Sequence, residues 1–91
     1  MYYNYVLMCF DKRRNRQKFY VGTSANLSQR LGQHKSRSIK TTKSFNELKL
    51  VYCEICLNKT DAVIREKQLK TGFGRGYIKR RLNNYLKNLR D

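Results

Sequence analysis

Acidic residues are scarce. Six Asp and Glu stand against 21 Lys and Arg, leaving a net charge of +15 on 91 residues. Self-repulsion of that size opposes compaction, so a polyanionic partner is the economical explanation, and nucleic acid is the commonest one. A generally basic protein without such a partner is the plainer alternative. No apolar run approaches the length of a membrane span. The opening "MYYNYVLMCF" lacks a basic segment and a small-residue cleavage site, so no signal peptide and no membrane partner are expected. Cysteines are few and odd in number: Cys9, Cys53 and Cys56. With no export signal, a reducing, cytoplasmic setting is expected. Cys53 and Cys56 form a C-x-x-C, but there is no second such pair, and the single histidine is distant in sequence. The pair sits in a strand-like run, where residues three apart point to opposite faces, which argues against a zinc site. No internal repeat and no low-complexity tract divides the chain, so residues 1–91 are expected to form one domain.

What is present is 40% hydrophobic and 12% aromatic, enough for a modest core. "YYNYVLM" reads as a first strand, Tyr2 to Met8, and "FYVG" as a second, ending at Gly22. The basic "FDKRRNRQK" between them reads as a long hairpin loop. "TSANLSQRLGQH" carries helix-start chemistry, with Asn26 and Gln29 resembling a capping box, or Ser24 as the cap. "KSRSIKTTKSFNE" is aperiodic and reads as a long, functional or mobile loop. "LKLVYCEICL" is a third strand. "NKTDAVIREKQLK" is a helix capped by Asn58 or Thr60, "TGFGRG" breaks it, and "YIKRRLNNYLKNLR" is a final amphipathic helix. Its predicted inward positions are Tyr77, Ile78, Leu82, Tyr85, Leu86 and Leu89. The order is β-β-α-β-α-α, and an α/β (α+β) fold with a three-stranded antiparallel sheet flanked by helices is the simplest arrangement.

Two helices place polar groups on their inward stripes. Arg30 and His34 share the stripe of Leu27 and Leu31, and Glu66 shares that of Ala62 and Leu69. A buried, unpaired charge is costly, so these groups should be paired or should face a common cleft beside the sheet. Tyr5 and Tyr20 lie on the adjacent hairpin and can bring two phenols to the same place. Each residue has a plainer reading: Arg30 and Glu66 as a structural ion pair, His34 as a solvated or capping residue, the tyrosines as core aromatics.

Together these residues resemble the GIY-YIG nuclease family over nearly the whole chain. "YNYVLM" resembles the first motif, with Tyr5 as its tyrosine, and "FYVG" the second, with Tyr20 and Gly22. "GTSANLSQRLGQH" is similar to the run carrying the family's arginine and histidine, here Arg30 and His34. "LVYCE" followed by "DAVIREKQLK" resembles the strand and the helix that bears its glutamate, here Glu66. The first motif departs from the family in reading Tyr3-Asn4-Tyr5, and the interval from Tyr5 to Tyr20 is long. Asn83 and Asn84 are both available for the family's late asparagine.

The resemblance implies a small single-domain endonuclease, similar to the catalytic domains of excision-repair and homing nucleases, with DNA repair among its possible settings. It implies one divalent metal, Mg²⁺ or Mn²⁺, held by Glu66 with waters and phosphate oxygens completing the shell. Mg²⁺ suits a site that keeps its waters. Tyr5 would be the base or water-positioning group, with nearby cations favouring its phenolate. Arg30 would stabilise charge on the phosphate, Tyr20 would orient phosphate or water, and His34 would relay a proton or hold the phosphate. Arg13, Arg14 and Lys18, with Lys12 and Arg16, and Lys79, Arg80 and Arg81 would grip nucleic acid through its phosphates, DNA rather than RNA, with little sequence specificity. A monomer is expected. The rival reading is a basic DNA- or RNA-binding module that does not cut.

Overall fold

Strand β1 (Tyr2–Asp11) is buried without a break from Asn4 to Cys9. Such a run has no solvent side, so it belongs in the middle of a sheet covered on both faces. The computed structural model, which describes residues 1–89, places it there: the sheet order is β2-β1-β3, with β2 (Arg16–Ser24) and β3 (Glu47–Cys56) both antiparallel to β1. Both strands of the first hairpin run beyond the apolar segments that predict them. β1 continues to Asp11 and β2 starts at Arg16, so the ladder passes through polar residues that carry no alternation signal. The turn closes at Asn15, whose φ of 52° is a left-handed conformation that asparagine tolerates. The Asp11 Oδ1 accepts from the Arg14 N–H at 3.3 Å. The register shift of β3 between the partners of Val6 and Leu7 leaves Val51 unpaired, a bulge in the edge strand.

Alternation along β1 builds two cores. Tyr5, Leu7 and Cys9 face one side, joined by Tyr20, Leu27, Leu31, Phe45 and Leu48. Val6 faces the other, with Val21, Leu69 and Ile78. Helix α1 (Leu27–Lys35) covers the first side, and α2 (Lys59–Leu69) with α3 (Gly72–Arg81) the second. Cys53 packs on the Tyr5 side, while Cys56 receives a weak contact from the Asn4 amide on the other, so the C-x-x-C is split between faces as its strand position predicts. Asn4 is fully buried. Its Nδ2 donates to the Ala62 carbonyl at 3.1 Å, its Oδ1 accepts from the Thr23 hydroxyl at 2.5 Å, and it thereby ties β1 and β2 to α2.

Capping follows the side-chain chemistry. Asn26 Oδ1 accepts from the Gln29 N–H, and Asn58 Oδ1 from those of Thr60 and Asp61. The helix breaks at "TGFGRG" as expected, at Lys70 and Thr71, but its glycines are themselves helical and open α3. Thr71 caps α3 by accepting from the Gly74 N–H. Gly74 is buried against the end of α2, where any Cβ would strike the backbone of Gln68 and Leu69. The single final helix becomes two, α3 and α4 (Asn83–Asn88), broken at Leu82. Of its predicted inward residues, Ile78 is buried, Tyr77, Leu82, Tyr85 and Leu86 are half-buried, and Leu89 is exposed.

Candidate active site

Lys18, Tyr20 and Gly22 alternate onto the α1 side of β2, and Gly22 stands opposite Tyr5 in the register. The Tyr5 ring lies directly over Gly22. A Cβ there would come within 2.9 Å of Tyr5 Cε1 and closer still to Cζ and Oη, so only glycine leaves room for the phenol. One strand along, the Tyr20 ring sits 6.2 Å from that of Tyr5, centroid to centroid. The His34 imidazole, in the last turn of α1, stands edge-on to both, at 5.6 Å and 5.1 Å. Arg30 is one turn earlier on the same stripe. Four of the five expected residues thus meet on one side of the sheet, at its β2 edge.

His34 is sealed, and both ring nitrogens are engaged: Nε2 with the Tyr5 hydroxyl at 2.8 Å, Nδ1 with the Thr42 hydroxyl at 2.8 Å. Burial lowers its pKa from the ordinary value, and the Arg30 charge lowers it further, so the ring is neutral. In a neutral ring one nitrogen donates and the other accepts, so the hydrogen bonds through Tyr5, His34 and Thr42 can run in either direction. Direct hold on a phosphate is closed to a residue so enclosed. His34 instead positions Tyr5. Thr42 has no counterpart in the sequence reading. It lies in an aperiodic stretch, and only the fold shows that this loop returns to the cluster, tied by Arg37 Nη1 to the carbonyls of Lys43 and Phe45 and by the Asn46 N–H to the Phe10 carbonyl.

The unfolded chain takes up a proton near pH 6.5 that folded His34 refuses. The unfolded state therefore binds more protons as pH falls, and stability falls with it. Urea midpoints should decline between about pH 7.5 and 5.5, and that decline should flatten in His34→Gln. An unchanged slope in the variant would refute the assignment.

Tyr5 corrects an expectation. It has no solvent exposure, and burial pushes its pKa up to about 12 although Arg30 pulls it down. It is a phenol, not a phenolate, and it cannot meet water directly. Its suitability as the base is lost, and Tyr20, half-buried beside it, is the phenol that reaches solvent. Arg30 is held firmly charged by the phenols of Tyr5 and Tyr20, and its Nη1 donates to Gln33 Oε1 at 3.0 Å. It is a half-buried cation with no carboxylate partner among the described residues, which excludes the structural ion pair with Glu66.

Glu66 arrives from the other side. It belongs to α2, on the Val6 side of the sheet, and its Oε2 lies 3.5 Å from Lys70 Nζ. The preceding residue fixes its direction. Arg65 Nε and Nη2 donate to the two Glu54 carboxylate oxygens at 2.8 Å and 2.9 Å, turning Arg65 toward β3. Successive helical residues are about 100° apart. With Ala62 and Leu69 against the sheet, Glu66 therefore leans to the flank of α2 away from Arg65 and Glu54. The expected single cleft does not gather all five residues: the sheet separates Glu66 from Tyr5, Tyr20, Arg30 and His34. Glu54 itself is engaged by Arg65 and by the Tyr52 hydroxyl at 2.8 Å, which hold it below the usual carboxylate range. That network braces β3 against α2.

The phosphate-gripping residues also divide. Arg13 and Arg14 are exposed at the hairpin tip, and Lys18 lies on the Tyr20 side of β2. Lys79, Arg80 and Arg81 belong to α3, across the sheet. Among the described residues no three His, Cys, Asp or Glu lie close enough together to hold a metal ion, and no helix is long and apolar enough to cross a membrane.

The model of the GIY-YIG catalytic domain matches residues 1–79, from β1 into α3. The chain belongs to the GIY-YIG catalytic domain family. A UPF0213 protein from Syntrophus aciditrophicus (strain SB) is 36% identical over 70 residues, covering 75% of each chain. No solved structure matches. GIY-YIG membership accounts for the three-stranded antiparallel sheet with its flanking helices in this order. The substitution of Asn4 at the centre of the first motif also gains a physical reason, because its side chain is the buried tie between the hairpin and α2.

Proposed function

We propose that this chain is a metal-dependent endonuclease that hydrolyses phosphodiester bonds in DNA with little sequence specificity, acting as a monomer in a reducing, cytoplasmic compartment. The observation that carries the reading is Arg30: a half-buried, permanently charged guanidinium beside the phenols of Tyr5 and Tyr20 with no carboxylate partner among the described residues. Its planar fork fits two phosphate oxygens and stabilises the charge that builds on them. Tyr20 orients the attacking water. Tyr5, fixed by His34 and Thr42, supports the Arg30 side of the cluster from beneath.

The donor set fits a divalent ion: one half-buried carboxylate with room for water and phosphate ligands suits Mg²⁺ or Mn²⁺, which need no all-protein cage. Glu66 would hold it, and a bound ion supplies Lewis-acid stabilisation of the departing oxygen. The Lys70 ammonium beside Glu66 keeps the carboxylate partnered without metal. The alternative, a basic module that binds without cutting, is favoured only by the +15 charge. Incubation with labelled single-stranded, nicked, flapped and duplex DNA, with Mg²⁺, Mn²⁺ or chelator, separates them. Metal-dependent cleavage is expected, and binding without cleavage in either metal would leave the module reading.

A further inference from the structure

Across the sheet from the Tyr5 cluster, an open groove of about 750 Å³ runs between the hairpin and the last two helices. Phe10 and Phe19 line one wall, and Arg75, Lys79, Asn83 and Lys87 the other. Arg75 and Lys79 are one turn apart on α3, Asn83 and Lys87 one turn apart on α4, and all four line the groove as one stripe. Cations at that spacing repel one another. Among the described residues none of the three has a carboxylate within ion-pair distance. A stripe of that kind calls for an anion from outside the chain.

The opposite wall narrows the choice. A duplex backbone asks only for cations, whereas aromatic rings facing a cationic stripe match a single strand, with phosphates on one side and bases against the other. The volume falls within the range of small-ligand sites and suits one or two nucleotides. The geometry points to a second nucleic-acid site in this groove, taking a single-stranded segment continuous with the strand at the Tyr5 cluster. The route between them is β2, an edge strand. Lys18 and Tyr20 project to one face and Gln17 and Phe19 to the other, so a strand crossing that edge meets consecutive residues of this chain. The inference rests on the reading that the chain acts on nucleic acid, and it selects substrates with an unpaired arm.

The test uses the full chain in chelator, so that no strand is cut, and a fluorescein-labelled oligothymidylate read by anisotropy. Combining Arg75→Gln, Lys79→Gln and Lys87→Gln should weaken binding at least about tenfold. Combining Lys40→Gln, Lys59→Gln and Lys67→Gln, which removes the same charge elsewhere, should weaken it less than about threefold. An oligonucleotide carrying 5-iodouracil should photocrosslink to Phe10 or Phe19. Equal losses in the two triple variants, crosslinks confined to Tyr20, or an equal loss for blunt duplex in the groove variant would each overturn the inference. Cleavage by the unaltered protein is scored separately. Cutting without groove binding removes the groove and keeps the nuclease, and groove binding without cutting does the reverse.

Discussion

Glu66→Gln should leave a folded protein that still binds nucleic acid but cuts it at least about a thousandfold more slowly. A factor of that size corresponds to about 4 kcal/mol of barrier, within the several kcal/mol that a bound divalent ion contributes to charge stabilisation. The substitution keeps the shape of the side chain and removes the one charge proposed to anchor the ion. Its structural effect should be small. The pair with Lys70 is partly exposed, with side-chain exposures of 54% and 21%, and such pairs contribute less than about 1 kcal/mol. Cleavage rate and anisotropy, measured on the same preparation, decide the matter. Cutting at the original rate would remove Glu66 from the site.

Gly22→Ala should lose both stability and activity through a single methyl group. The added carbon falls on the Tyr5 ring at Cζ, Oη and Cε1. The ring cannot swing aside, because it is fully buried and its hydroxyl is bound to His34. Overpacking of this kind destabilises by about 1–3 kcal/mol, and the displaced phenol no longer meets His34. Gly32→Ala is the natural contrast. It lies in α1, and a Cβ there meets nothing within 4 Å. Alanine is the better helix former by about 1 kcal/mol, so this variant should be more stable. Urea midpoints for the two should move in opposite directions, and a shift in the same direction would contradict the packing described.

The contrast shows which features a sequence can carry. Asn26 and Asn58 announce their helices because capping is local chemistry, and the β-branched and aromatic run of β1 announces a strand, though not that it is central. Arg30 and His34 are legible as exceptions to an apolar stripe. Thr42 is not, because it sits in an aperiodic stretch and acts on His34 only after the loop has folded back. The direction of Glu66 is likewise hidden, since it depends on Arg65 being drawn to Glu54. The break at Leu82 carries neither glycine nor proline. "TGFGRG" does mark a break, but that Gly74 serves close packing against α2 is visible only from α2.

The strand order has a consequence in time. β1 joins β2 across the turn at residues 12–15 and β3 only across residues 12–46. Closing the longer span costs about 2 kcal/mol more in chain entropy, on a logarithmic dependence on loop length. The hairpin bearing Tyr5 and Tyr20 is therefore the early event, and the docking of β3 draws in α1 and Thr42 with the intervening chain. Conservative substitutions in the hairpin should slow folding, whereas those in β3 should mainly speed unfolding, a division that stopped-flow chevrons resolve. On that schedule the two phenols are neighbours before either has an arginine or a histidine beside it.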